Sequence, residues 1–142
     1  MSTEDKAVIT FGSQMGDNKA AEAVQLHLIK LRKLLKKYCK EPYSDVINEF
    51  APIARVDGEI WHWDFEGCQK LRLNRKERYI TIDIGVPRNR WEGISPLEIR
   101  KYLIENLRQA LILMVNKLKK EKIFVDEGRL FQDFAKVEQE YL

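Results

Sequence analysis

This chain has few of the residues that usually betray chemistry. It holds two histidines and two cysteines in 142 residues. Cys39 and Cys68 lie far apart with no CxxC partner or histidine-rich neighbourhood, which supports neither a zinc site nor a disulfide framework and leaves both as reduced thiols. HExxH, HxH, DxD and GxSxG patterns are absent, so no metal set or activated serine is fixed by spacing. Long apolar runs are missing too: the longest, Ala110 to Val115, is far too short to cross a bilayer. The N-terminus MSTEDKAVITF carries acids where a secretory leader would be basic, and the expectation is a cytoplasmic protein with no membrane contact.

The length and a 44% hydrophobic, 33% charged composition suit a single globular domain, 1–142, with a core that needs neither disulfide nor metal. The net charge of +3 is unevenly distributed. Lys30, Arg32, Lys33, Lys36, Lys37 and Lys40 crowd one segment, and the tail after Val125 is mainly acidic.

The best-specified stretch is Tyr79 to Glu98, YITIDIGVPRNRWEGISPLE. Ile80, Ile82 and Ile84 alternate with Tyr79, Thr81 and Asp83, which predicts a strand with one apolar and one polar face. Pro87 ends it, and Ser95, Pro96 and Glu98 supply the N-cap, first-turn proline and capping-box acid of a helix. That helix carries Ile99, Leu103, Leu107, Ala110, Met114 and Leu118 and ends in the basic run Lys117 to Lys122. A third helix from Asp126 carries Leu130, Phe134, Val137 and Tyr141.

Toward the N-terminus, Ala7 to Phe11 reads as an edge strand, followed by a polar loop bracketed by Gly12 and Gly16. A long helix starts at Asp17 or Asn18, buries Val24, Leu28, Leu31, Leu35 and Tyr38, and stops at Pro42. Leu26, Ile29 and Leu34 widen its stripe, which suits a second neighbour or a homodimer contact. In the middle, Asp57-Gly58 between Phe50–Val56 and Glu59–Phe65 signals a type I′ hairpin. Further turns at Glu66-Gly67 and Asn74–Glu77 complete a four-stranded antiparallel meander. The predicted class is therefore α+β, with long helices before and after the sheet packed on one face.

Several residue sets invite a functional reading, each with a plainer competitor. Trp61, Trp63 and Phe65 share one strand face, a stacking platform for nucleobases if exposed, with Arg55, Lys70, Arg72, Arg75 and Arg78 as phosphate partners; a buried aromatic face is the commoner outcome. His62 with Glu59, Asp64 and Asp83 offers acid–base groups, against ordinary ion pairing with the arginines. Gly12 to Gly16 has the outline of a phosphate loop without its lysine. The lysine-rich first helix permits nucleic-acid binding, against a simple solvated face. Arg88, Arg90, Trp91 and Glu92 form a charged aromatic loop between two firm elements, the composition of an interface anchor, unless Trp91 folds back to plug the sheet end.

The run VINEFAPIARVDGEIWHWDFEGCQKLRL followed by RYITIDIGVPRNRWEG resembles small bacterial immunity proteins of polymorphic-toxin systems, an α+β group, over Ser44 to the end of the second helix. That resemblance implies a non-enzymatic protein without metal or cofactor that binds and neutralises a cognate toxin domain. Antidotes to nucleases are often acidic, so a slightly basic chain would need a locally acidic patch, for which Asp57, Glu59, Asp64 and Glu66 are the candidates, or a toxin that is not a nuclease. Partner contact is accordingly expected at Arg88, Arg90, Trp91 and Glu92 with those four acids. The competing expectation is a nucleic-acid-binding accessory protein.

Overall fold

Strand β4 (Tyr79–Val86) organises the molecule, because every residue from Ile80 to Val86 is buried. A computed structural model describes residues 8–14, 22–57 and 65–142. Within it β1 (Gly12–Gln14), β2 (Glu49–Val56), β3 (Gly67–Asn74) and β4 form one sheet in the order β1-β2-β4-β3. Three helices accompany it: α1 (Glu22–Tyr38), α2 (Pro96–Lys120) and α3 (Glu127–Tyr141).

The architecture is α+β with four strands, but the sheet is mixed and the expected antiparallel meander is not formed. β2 runs parallel to both β1 and β4, in unbroken register from Glu49 opposite Tyr79 to Val56 opposite Val86. Among the described strands only β3 and β4 are antiparallel. β2 ends at Val56, and the next described strand, β3, begins at Gly67 on the far side of β4, so β4 lies between them. An Asp-Gly pair encodes a local reversal and not the identity of the neighbouring strand, which long-range burial decides. The predicted turn glycine Gly58 and the strand residues through Asp64 lie outside the described residues. A second correction concerns Gly12–Gln14: these polar residues form the edge strand β1, where a loop was expected, while Ile9 bridges to Phe50 just before it.

Burial explains why β4 is so apolar. Its Ile80, Ile82, Ile84 and Val86 share the buried core with Phe50, Ala54 and Val56 of β2 and with Leu103, Leu107, Leu111 and Met114 of α2. The helix stripes read from sequence hold except at Tyr38, which is half-buried: Val24, Leu28, Leu31 and Leu35 of α1 and Leu130, Phe134, Val137 and Tyr141 of α3 are buried. Leu34 joins them, whereas Leu26 and Ile29 are exposed. α2 begins as expected, with the Glu98 amide donating to Ser95 Oγ at 3.3 Å.

The opposite face of β4 is polar yet also buried. Asp83 is 3% exposed and accepts from Arg55 Nη2 at 3.2 Å on β2 and from Arg72 Nη2 at 3.1 Å on β3. One carboxylate thus clasps both neighbouring strands. Next to it Gly85 tolerates no side chain, because an added Cβ would land on the backbone of Phe65. An extra residue on β3 between Gln69 and Arg72, with Lys70 at φ 58°, bends that edge.

Candidate binding rim

The rim is built where β4 ends and α2 begins. Pro87 closes the strand, and a 3-10 turn at Arg88–Arg90 follows, with the Arg90 amide bonded to the Pro87 carbonyl at 2.9 Å. Gly93, at φ 73°, adopts a conformation that L side chains rarely take and leads into the Ser95 cap. Both flanks are thus fixed by hydrogen bonds.

On this frame Arg90 reaches back across the sheet end to Glu66. Its Nε and Nη2 both donate to that carboxylate, the latter at 3.0 Å. The bond to Arg90 holds the Glu66 carboxyl below the usual carboxylate range. The guanidinium also lies 5.8 Å from the Tyr102 ring centroid, and Tyr102 Oη donates to the Gly85 carbonyl at 2.6 Å. Burial pushes the Tyr102 hydroxyl up to about 12, so it stays a donor at neutral pH. Arg88 lies 3.9 Å from Glu92, a looser pair one helical turn apart. Glu66, Arg90 and Glu92 are exposed, as an interface requires.

Trp91 does not stand on this surface. It is 4% exposed and belongs to the continuous core, so its ring props the rim from beneath. The expectation of an exposed tryptophan anchor is therefore corrected: the tight turn between two fixed elements directs the ring inward, where burying its area is more favourable than leaving it in water. Among the described residues its Nε1 finds no acceptor, and neither does the buried Nε of Arg88.

Of the remaining candidates, Asp57 sits half-buried at the end of β2, its amide bonded to the Val86 carbonyl at 3.0 Å. Glu59, Trp61, His62, Trp63 and Asp64 lie outside the described residues. Asp83 is committed to Arg55 and Arg72, so the two arginines once considered as phosphate partners face a carboxylate. Arg75 pairs with Glu121 at 2.7 Å, and Arg78 donates to the carbonyls of Asp45 and Val46. Lys30, Lys33, Lys36, Lys37 and Lys40 are exposed along and just beyond α1. Cys39 and Cys68 are free, and burial pushes each thiol up to about 11, far from the ionised form at neutral pH. Among the described residues no cluster of histidine, cysteine and carboxylate could hold a metal, and no helix is long and apolar enough to cross a membrane.

Sequence reasoning missed the Arg90–Glu66–Tyr102 clasp. Its only signal was opposite charge in two segments that the fold brings together, with Tyr102 in the second turn of α2.

The α+β scaffold thus presents exposed side chains of both charge signs at this sheet end, with Trp91 buried among them. The chain belongs to the Immunity protein 44 family (Imm44), whose model matches residues 8–140. The sequence resemblance to immunity proteins thereby stands as a family membership. No curated protein and no solved structure matches the chain.

Proposed function

We propose that this protein neutralises a cognate toxin domain in the cytoplasm by lying over the toxin's working surface, without chemistry of its own. Membership of an immunity-protein family carries this reading. The rim supports it: Arg90, Glu66 and Glu92 offer charge of both signs on a base that does not need to reorganise on binding, which lowers the cost of association. Contact centres on Arg88, Arg90, Glu92 and Glu66, with Asp57 near the same sheet end; Glu59 and Asp64, the other expected contacts, lie outside the described residues. Trp91 acts from below as a support.

Arg90 has two tasks under this proposal, closing on Glu66 within the chain and meeting an acidic or carbonyl group on the toxin. A charge exchange separates them. Arg90→Glu should weaken toxin binding about tenfold or more, with the melting temperature little changed because the pair is exposed. The double variant Arg90→Glu/Glu66→Arg restores the internal pair with its polarity reversed, and toxin affinity should stay low. Calorimetric titration of the toxin domain encoded beside this chain's gene gives both numbers. Full affinity in folded Arg90→Glu would remove the rim from the interface.

A further inference from the structure

The solvent side of α2 carries two concavities. Beside the rim a cleft of about 180 Å³ is lined by Arg90, Ile94, Glu98, Lys101, Tyr102 and Glu105. Near the other end of the helix a groove of about 660 Å³ opens between edge strand β3 and α2. Leu71 and Leu113 give it an apolar lining, and Asn116, Lys117, Lys119 and Lys120 give it polar walls.

Helical geometry puts the two on one side. Glu98 in the cleft and Asn116 in the groove are about five turns apart at 3.6 residues per turn, so they point the same way roughly 27 Å from one another. A standard interface covers about 800 Å² per partner, a patch roughly 30 Å across. One toxin domain seated on the rim would thus reach the groove.

The groove's charge names what it takes. Lys117 and Lys119 meet Glu121 and Glu127 at 3.2 and 3.4 Å, while Lys120 has no ion pair among the described residues. Four lysines against one glutamate between Lys117 and Lys122 leave the helix end cationic. The bulge and Lys70 bend β3 away from pairing with an added strand, so a guest would be held through side chains and not through a β-ladder. A nucleic acid is the poorer fit, because the lining has no aromatic ring for base stacking.

We infer that the β3–α2 groove, lined by Leu71, Leu113, Asn116, Lys117, Lys119 and Lys120, is a second docking site for an acidic segment of the toxin bearing an apolar side chain. The inference rests on the toxin-neutralising reading above. An apolar group would cover the leucines as carboxylates meet Lys119 and Lys120. Because these lysines are exposed, much of their contribution should be to the association rate.

The test measures association of the full chain with the toxin domain encoded beside its gene, at low and at moderate salt. Lys119→Glu/Lys120→Glu should lower the affinity about tenfold or more and flatten its salt dependence. Lys120→Gln should give a smaller loss, and Lys120→Arg should retain binding. Circular dichroism confirms that each variant is folded, and the neutral Lys120→Gln keeps the test valid should the charge-reversed pair unfold. If wild type binds the toxin and all folded groove variants bind equally well, the groove is overturned while the neutralising reading stands. If wild type does not bind the toxin at all, both fall. Salt-sensitive capture of a short DNA or RNA duplex that is lost in Lys119→Glu/Lys120→Glu, with toxin binding intact, would also overturn the assignment.

Discussion

Trp91→Ala should lower the unfolding free energy by about 3–5 kcal/mol, the usual cost of emptying an aromatic site in a packed core. Trp91 fills space where β4, the 3-10 turn and the start of α2 meet, and it is almost wholly buried. Trp91→Phe separates area from polarity. The indole Nε1 has no acceptor among the described residues, so removing that donor should sacrifice no hydrogen bond and relieve an unmet polar group. The phenylalanine variant should therefore lose much less stability than the alanine variant. Urea unfolding of the three proteins checks the ranking. A stability loss of under about 1 kcal/mol in Trp91→Ala, accompanied by a collapse in toxin affinity, would instead make Trp91 an interface residue and contradict its role as a prop.

The second large effect belongs to Asp83. Removing it as Asp83→Ala leaves the two guanidinium groups of Arg55 and Arg72 beside each other without their shared carboxylate. Breaking a buried ion pair in this way costs about 3–5 kcal/mol. The Arg55 side chain is 18% exposed and Arg72 is 47% exposed, so water can rescue Arg72 far better. Arg72→Ala should accordingly be the milder lesion, and Asp83→Asn should fall between, since it keeps the shape and loses the charge. Thermal unfolding ranks the three variants. Equal stability of wild type and Asp83→Ala would show that the three-strand clasp does not hold the sheet together.

Local order was largely legible in the residues because it depends on local patterns. The isoleucine alternation of β4 and the stripes of the three helices come from side-chain periodicity, and the Ser95 cap from the capping pattern of Ser95, Pro96 and Glu98. Strand order was not legible. Alternation reveals which face of β2 is buried, but β2 pairs with β4 by virtue of where the core closes, and Asp57-Gly58 carries no information about that. Alternation marks one face of β4 as polar without showing what covers it. Here the cover includes two arginine side chains folded over Asp83. At the candidate site Arg90 and Glu92 lie exposed as read, whereas Trp91 turned inward. A tryptophan between charged residues suits an anchor or a plug equally well, and only the direction of the turn decides between them.

Occlusion requires one protector per toxin and leaves the toxin chemically unchanged. The direct measurement is toxin activity titrated with this protein, followed by the intact mass of the toxin after separation. Activity should fall linearly to zero at one equivalent, and the released toxin should recover its activity with an unaltered mass. Complete inactivation by a small fraction of an equivalent, or a changed toxin mass, would reveal turnover and contradict the account.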